Sequence, residues 1–389
     1  MDATTSPHLL LFTLATVALT HFAILAADVC GLVDRPCARK QHEGSVPLAG
    51  GPAIFLSFVF ALVVWGLPVL NPWEVVLLGV VFLMGLIDDF RHLSPTVRLG
   101  LQALCGVAMA TIGNVVLTQV GNLLGFGPIG LSILAIPLTA LAFTGVANAY
   151  NMIDGIDGLA GMLALIPLCA IGLLAAHAGH PLLPTLLALI IPLAVFLLFN
   201  LGPNMRWWPK IFLGDSGSNF LGFIVCATLV YHSQGPGALI HPVTALWLIT
   251  VPLMDMLATM AVRLREGHHP MRADRRHLHH LLVDLGLTVG GARRAIVAHA
   301  TAMAVAGILL MRLPDYISLA LYLAVFAAHC VFAIQTRRTL QAREDAEQAT
   351  QDAASADATS TTTASASAAS QAAGAWPQGS ALQREKSTS

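Results

Sequence analysis

Charge is the scarcest ingredient of this chain. Only 11% of its 389 residues are Asp, Glu, Lys or Arg, where a water-soluble domain carries about 25%. That shortage argues against a solvated globular surface. The formal net charge is −1, so no basic field points to a nucleic-acid partner. Cysteines are few: Cys30, Cys37, Cys105, Cys169, Cys226 and Cys330 form no CxxC pair and read as small apolar residues in or near apolar runs. Residues 1–8 hold no Lys or Arg, so the first apolar run does not read as a secretory leader. No internal repeat suggests the inverted halves of a transporter.

What is abundant is apolar sequence. The chain is 56% hydrophobic, with a mean hydropathy of +0.74. Eleven runs approach the ~20 residues that span a bilayer: roughly 8–28, 48–68, 73–88, 98–118, 131–149, 158–177, 182–201, 212–231, 241–262, 295–311 and 315–335. The expected fold is all-α and polytopic, with about eleven transmembrane helices. With residue 1 periplasmic and the loops alternating, every Lys and Arg of the twenty except Arg312 faces the cytoplasm. The C-terminus is then cytoplasmic, and the loops richest in polar residues lie on the cytoplasmic face. Residues 1–345 are expected to form one polytopic membrane domain. From 346 to 389 the composition turns to Ala, Ser, Thr and Gln and reads as a disordered tail.

The polar residues gather in the inside loops. Residues 148–159 read Asn-Ala-Tyr-Asn-Met-Ile-Asp-Gly-Ile-Asp-Gly-Leu. Asn148, Asn151, Asp154 and Asp157 recur every third residue, a row that drifts by about 60° per step around a helix. Gly155 and Gly158 ease unwinding there, and carboxylates at a membrane edge are expensive and usually functional. Asp88-Asp89 end another run. Adjacent carboxylates there want a cation, whether Mg²⁺, a basic side chain or a proton. Asp215 opens the run at 212–231 amid small residues, as a hard-metal ligand or a helix cap. Residues 39–51 combine Arg39-Lys40 with Gly50-Gly51, either a phosphate cradle or basic anchoring plus a close helix contact. Residues 263–294 hold Arg272, Arg275, Arg276, His277, His279 and His280, suited to a pyrophosphate, with a His-rich transition-metal site or an anchor to anionic lipid as the competing readings. Asp255 lies about eight residues inside the ninth run, roughly 12 Å from its end in a regular helix. There it either supports the site from behind or pairs with a neighbouring helix.

Taken in order, Arg39-Lys40…Pro47…Gly50-Gly51, Asp88-Asp89, Asn148…Asn151…Asp154-Gly-Ile-Asp157-Gly-Leu, Phe212-Leu-Gly-Asp215-Ser-Gly-Ser and His277-Leu-His-His280 resemble the polyprenyl-phosphate N-acetylhexosamine-1-phosphate transferases. The likeness covers roughly residues 30–285, and the span count extends it to about 335. It implies a Mg²⁺-dependent transfer, with Mn²⁺ as second choice, of a sugar 1-phosphate from a UDP-sugar to undecaprenyl phosphate, releasing UMP. By that resemblance Asp88 activates the lipid phosphate, with Asp89 beside it, and Asp215 binds the metal with Asp88. Asp154 and Asp157 serve catalysis. Lys40, Asn148, Asn151, Phe212, Arg275, Arg276, His277, His279 and His280 contact substrate, Phe212 holding uracil. His92 stands where the family's acidic pattern has a third Asp, so it is not counted as a ligand.

The paired form of the final motif, rather than three consecutive histidines, points to UDP-N-acetylglucosamine. The product would prime O-antigen or another envelope glycan. Three readings compete: this reaction, the same chemistry with another UDP-N-acetylhexosamine or UDP-muramoyl-pentapeptide, and an ion-coupled transporter. The transporter would want ionisable groups near the bilayer midplane, where only Asp255 stands, and polar outer loops, which the chain nearly lacks. A homo-oligomer is compatible with the sequence.

Overall fold

The computed structural model describes residues 5–35, 44–67, 71–267 and 277–373. Helix accounts for 76% of residues and strand for 2%. The order is α1 (Thr5–Cys30), β1 (Val33–Asp34), β2 (Val46–Pro47), α2 (Gly50–Trp65), α3 (Pro72–Arg91) and α4 (Pro95–Thr111). Then come α5 (Ala135–Ile153), α6 (Leu159–Ala178), α7 (Leu183–Leu201), α8 (Gly214–Ser233), α9 (Pro242–Leu248), α10 (Thr250–Arg265), α11 (Leu278–Asp284), α12 (Val289–Leu310) and α13 (Asp315–Ala373). The strands are one two-residue antiparallel pair, Val33 opposite Pro47 and Asp34 opposite Val46.

Each of the eleven apolar runs contains helix, although 98–118 is helical only as far as Thr111 and 241–262 is broken between α9 and α10. Among the described residues six helices are long and apolar enough to cross a membrane, or seven if α9 and α10, bent by 80°, count as one broken span. The remaining runs fold as α2, α3, α4 and α8, which are shorter or more polar. Leu10, Leu14, Phe22 and Leu25 of α1 and Leu83 and Ile87 of α3 are exposed. Such rows of bare apolar side chains suit lipid rather than water. The protein is a helical membrane protein.

Helix α8 is the axis of the packing. Ser216 to Val230 is buried without a break, as expected of a helix with no polar face along its apolar length. Helices α2, α3, α5 and α6 lie against it. At Gly85 the backbones of α3 and α8 come so close that a Cβ would overlap Asp215 and Ser216. That contact brings Asp89 to the start of α8.

The chain divides into two units, Met1–Ala333 and Ile334–Ser389. The second is helical as far as Ala373 and contains the boundary at 345/346 read from composition.

One end of the bundle carries the loops expected to hold the chemistry. The opposite end, expected to be nearly bare of polar groups, is instead clasped by them. Gln234 Oε1 accepts the backbone N–H groups of Thr118 and Gln119. Asp315 accepts from Asn122 N at 2.8 Å and lies 2.7 Å from His241 Nδ1. These contacts join positions far apart in sequence, so no local motif announces them.

Candidate active site

The site is built around the first turn of α8. A helix start leaves backbone N–H groups without internal partners. Here Asp89, from the end of α3, fills that role across the helix contact. Its Oδ1 accepts from Asp215 N at 2.6 Å and its Oδ2 from Ser216 N at 3.0 Å. The carboxylate is thereby committed to positioning Asp215. Asp88, its neighbour in sequence, is buried and turned elsewhere. Its Oδ2 accepts from Arg98 Nη1 at 3.0 Å and its Oδ1 from Leu93 N at 2.6 Å. This arrangement shapes the α3–α4 turn, where His92 caps α3 in a left-handed conformation with φ 49°. The two adjacent acids thus answer their charge differently, one with a guanidinium and one with a helix start.

The Asn/Asp row divides as its drift around the helix requires. Asn151 sits beside Asp215, its Nδ2 donating to Asp215 Oδ1 at 2.6 Å and to Ser218 Oγ at 3.0 Å. Asn148, one step back, is buried and points into the bundle, where its Nδ2 donates to Gln102 Oε1 at 2.6 Å and to Thr144 O at 2.8 Å. Gln102 passes the connection on through its Nε2 to Asn219 Oδ1 at 2.6 Å. Asn219 then donates to the carbonyl of Asp215 at 2.7 Å. A chain of amides therefore runs from α5 through α4 to α8 and ends on the backbone of Asp215. Gln102 and Asn219 escaped sequence reasoning, since a lone Gln in an apolar run carries no spacing signal.

Asp154 caps the end of α5 and is exposed. Asp157 lies in the turn before α6. Its Oδ2 accepts from Lys210 Nζ at 2.6 Å and its carbonyl from Arg293 Nη1 at 3.1 Å. Lys210 also lies over the Phe212 ring, 5.4 Å from its centroid. The Phe212 backbone is stitched to β2 and α2: Phe212 N donates to Pro47 O, and Gly50 N donates to Phe212 O, each at 2.9 Å. The glycine pair is thus filled by chain. A Cβ on Gly50 would meet the Phe196 ring and one on Gly51 the backbone of Gly217, so the close helix contact is observed, while Arg39 lies outside the described residues.

The histidine motif closes the opposite flank. His277 and His279 stack in parallel, with ring centroids 5.9 Å apart and planes at 5°. His280 lies 4.2 Å from His279 by centroid. A Cβ on Gly155 would collide with the His279 ring, so this motif and the 154–157 turn share one wall. Arg263 on α10, read from sequence only as a topology marker, is buried with 1% exposure. Lys40, Arg275 and Arg276 fall outside the described residues.

Asp88, Asp89, Asn148, Asn151, Asp154, Asp157, Phe212, Asp215, His277, His279 and His280 therefore all belong to one end of the bundle. Among the described residues no three His, Cys, Asp or Glu side chains form a metal-binding group. Were a cation to bind here, Asp215, whose carboxylate Asn151 orients, could hold it more readily than Asp88, which is paired with Arg98.

Comparison with known proteins gives this membrane bundle its class: the protein is a sugar-phosphate transferase. Residues 73–233 match the family model described as glycosyl transferase family 4. The chain is 36% identical over 329 residues to the undecaprenyl-phosphate alpha-N-acetylglucosaminyl 1-phosphate transferase of Escherichia coli (strain K12), covering 83% of this chain and 89% of that one. It is 36% identical over 331 residues to the enzyme of the same name from Yersinia pestis, covering 83% and 90%. For that of Pasteurella multocida (strain Pm70) the identity is 38% over 288 residues, covering 73% and 80%. The chain belongs to glycosyl transferase family 4.

Proposed function

We propose that the protein transfers N-acetylglucosamine 1-phosphate from UDP-N-acetylglucosamine to undecaprenyl phosphate, releasing UMP and priming a lipid-linked envelope glycan. The observation that carries this reading is the convergence of Asp89, Asn151 and the Gln102–Asn219 amide chain on Asp215, at the membrane-protein end that also holds the histidine motif. The name of the relatives supports the acceptor and the transferred N-acetylglucosamine 1-phosphate. The eleven helical runs and the Lys and Arg segregation support eleven spans, a periplasmic N-terminus, a cytoplasmic C-terminus and a cytoplasmic site in the bacterial inner membrane.

In the proposed reaction an oxygen of the lipid phosphate attacks the β-phosphorus of the UDP-sugar. A new P–O–P linkage forms, the bond to the α-phosphate oxygen breaks, and UMP leaves with the electron pair. Phosphoryl transfer of this kind needs mostly positioning and charge stabilisation. Asp215 and Asp88 are the metal positions to test, with Asp215 favoured by its geometry. Mg²⁺ or Mn²⁺ there would supply charge neutralisation of the diphosphate. Asn151 fixes the Asp215 carboxylate. Lys210 and Arg293 hold the 157 turn, and Lys210 with Phe212 offers a cation and a ring face to the nucleotide. His277, His279 and His280, with Arg275, Arg276 and Lys40, serve the donor diphosphate and sugar. Asp88 approaches the lipid phosphate only if Arg98 is shared with that phosphate, a role that suits a guanidinium.

Purified protein with UDP-N-acetylglucosamine, undecaprenyl phosphate and Mg²⁺ should release UMP, and omission of lipid or addition of chelator should abolish it. UMP with a different UDP-sugar alone would reassign the donor. Substrate counterflow in vesicles with no UMP would favour a transporter.

A further inference from the structure

We infer that Asp255 is a positioning residue, and that it holds the histidine motif against the 154–157 turn from inside the bundle. This rests on the donor-contact role proposed above for that motif.

Asp255 is buried on α10, with 4% exposure. A carboxylate there is costly unless both oxygens are answered, and both are. Oδ2 lies 2.8 Å from His277 Nδ1, and Oδ1 accepts from Leu278 N at 2.7 Å. A carboxylate only accepts, so Nδ1 carries the proton and the ring's Nε2 is turned the other way. The second bond fixes the backbone where α11 begins. The His277 side chain supplies no cap of its own there. One buried acid therefore sets both the ring plane of His277 and the start of the short helix that carries His279 and His280.

The consequence propagates by packing. The His279 ring is stacked parallel to that of His277, is buried to 1% exposure, and abuts Gly155. A displaced His277 would let His279 leave the turn that bears Asp154 and Asp157. The contacts of Asp255 run to His277 and Leu278, so its influence falls on the histidine flank.

The test uses the full-length protein in detergent with two readouts. The first is amide hydrogen exchange in Asp255→Ala and Asp255→Asn, which needs no activity. Faster exchange confined to about residues 277–287, with α10 and α8 unchanged, is expected. Unchanged exchange there overturns the inference. A general rise across the bundle means Asp255 merely stabilises the fold, and also overturns it. Should the Ala variant fail to fold, the near-isosteric Asn variant gives the same reading, because it can answer only one of the two donors. The second readout is steady-state kinetics. The KM for the UDP-sugar should rise about tenfold in Asp255→Ala while the KM for the lipid phosphate stays within about twofold. The double variant Asp255→Ala/His279→Ala should be no worse than its weaker parent, as expected for residues acting through one path. Equal KM values for the donor in wild type and variant, or strictly additive losses, contradict the inference while leaving the transferase reading intact. A wild type silent with every donor defeats the transferase reading, and the exchange experiment still decides the role of Asp255.

Discussion

Replacing Asp89 with Asn separates a positioning acid from a reacting one. The wild-type carboxylate accepts two backbone N–H groups at 2.6 and 3.0 Å, from the first residues of α8. Asn has one acceptor oxygen, and its NH₂ must face the second donor. One charge-assisted hydrogen bond is lost, at about 1.5–3 kcal/mol, and one half-buried N–H is left without a partner, at about 1–3 kcal/mol. The favourable interaction of the charge with the helix start is offset by its burial and by repulsion from the Asp215 carboxylate and adds nothing further. Because these costs overlap, a loss of about 3 kcal/mol is the reasonable sum. In a protein of this size that is a fall of roughly 5 °C in the unfolding temperature. Thermal unfolding in detergent and UMP release would be followed on the same preparation. The expected result is a lowered midpoint together with reduced turnover, both relieved in part by saturating Mg²⁺ if the ion reorders Asp215. An inactive Asp89→Asn protein with an unchanged midpoint would refute the reasoning and favour a covalent role for Asp89.

Three further substitutions test neighbouring parts of the site. Asn151→Ala removes the donor that orients Asp215 Oδ1; the Mg²⁺ concentration for half-maximal activity should rise about tenfold, and an unchanged metal titration would contradict this. Gln102→Leu leaves the buried amides of Asn148 and Asn219 without their partner, so stability should fall by about 2–4 kcal/mol, read as a lower unfolding midpoint. Gly155→Ala places a methyl on the His279 ring; donor KM should rise while the unfolding midpoint changes little, and an intact donor KM would detach the histidine motif from this turn.

Much of this was legible in the sequence because its period is physical. Apolar runs near bilayer length had to be helical, and each contains helix. The three-residue repeat in 148–157 placed amides and acids on one drifting row, and the drift explains why Asn148 points inward and Asn151 meets Asp215. Tertiary pairing was not legible. Asp88 and Asp89 look alike in sequence, yet Arg98 takes one and the α8 backbone the other. Gln102 and Asn219 meet across 117 residues. Gly50 and Gly51 resembled a cradle because glycine marks close approach without naming what approaches. Asp255 signalled its cost but not its partner, since His277 lies 22 residues on and joins it only when α11 folds back.

The most direct test of the central claim is a single turnover with UDP-N-acetylglucosamine labelled with ³²P at the β-phosphate. The label should pass to an organic-extractable lipid diphosphate, with one unlabelled UMP formed per lipid, only with undecaprenyl phosphate and Mg²⁺ present and not with Asp215→Asn. Label recovered as inorganic phosphate, or absent from lipid with every UDP-sugar tried on folded protein, would contradict the account.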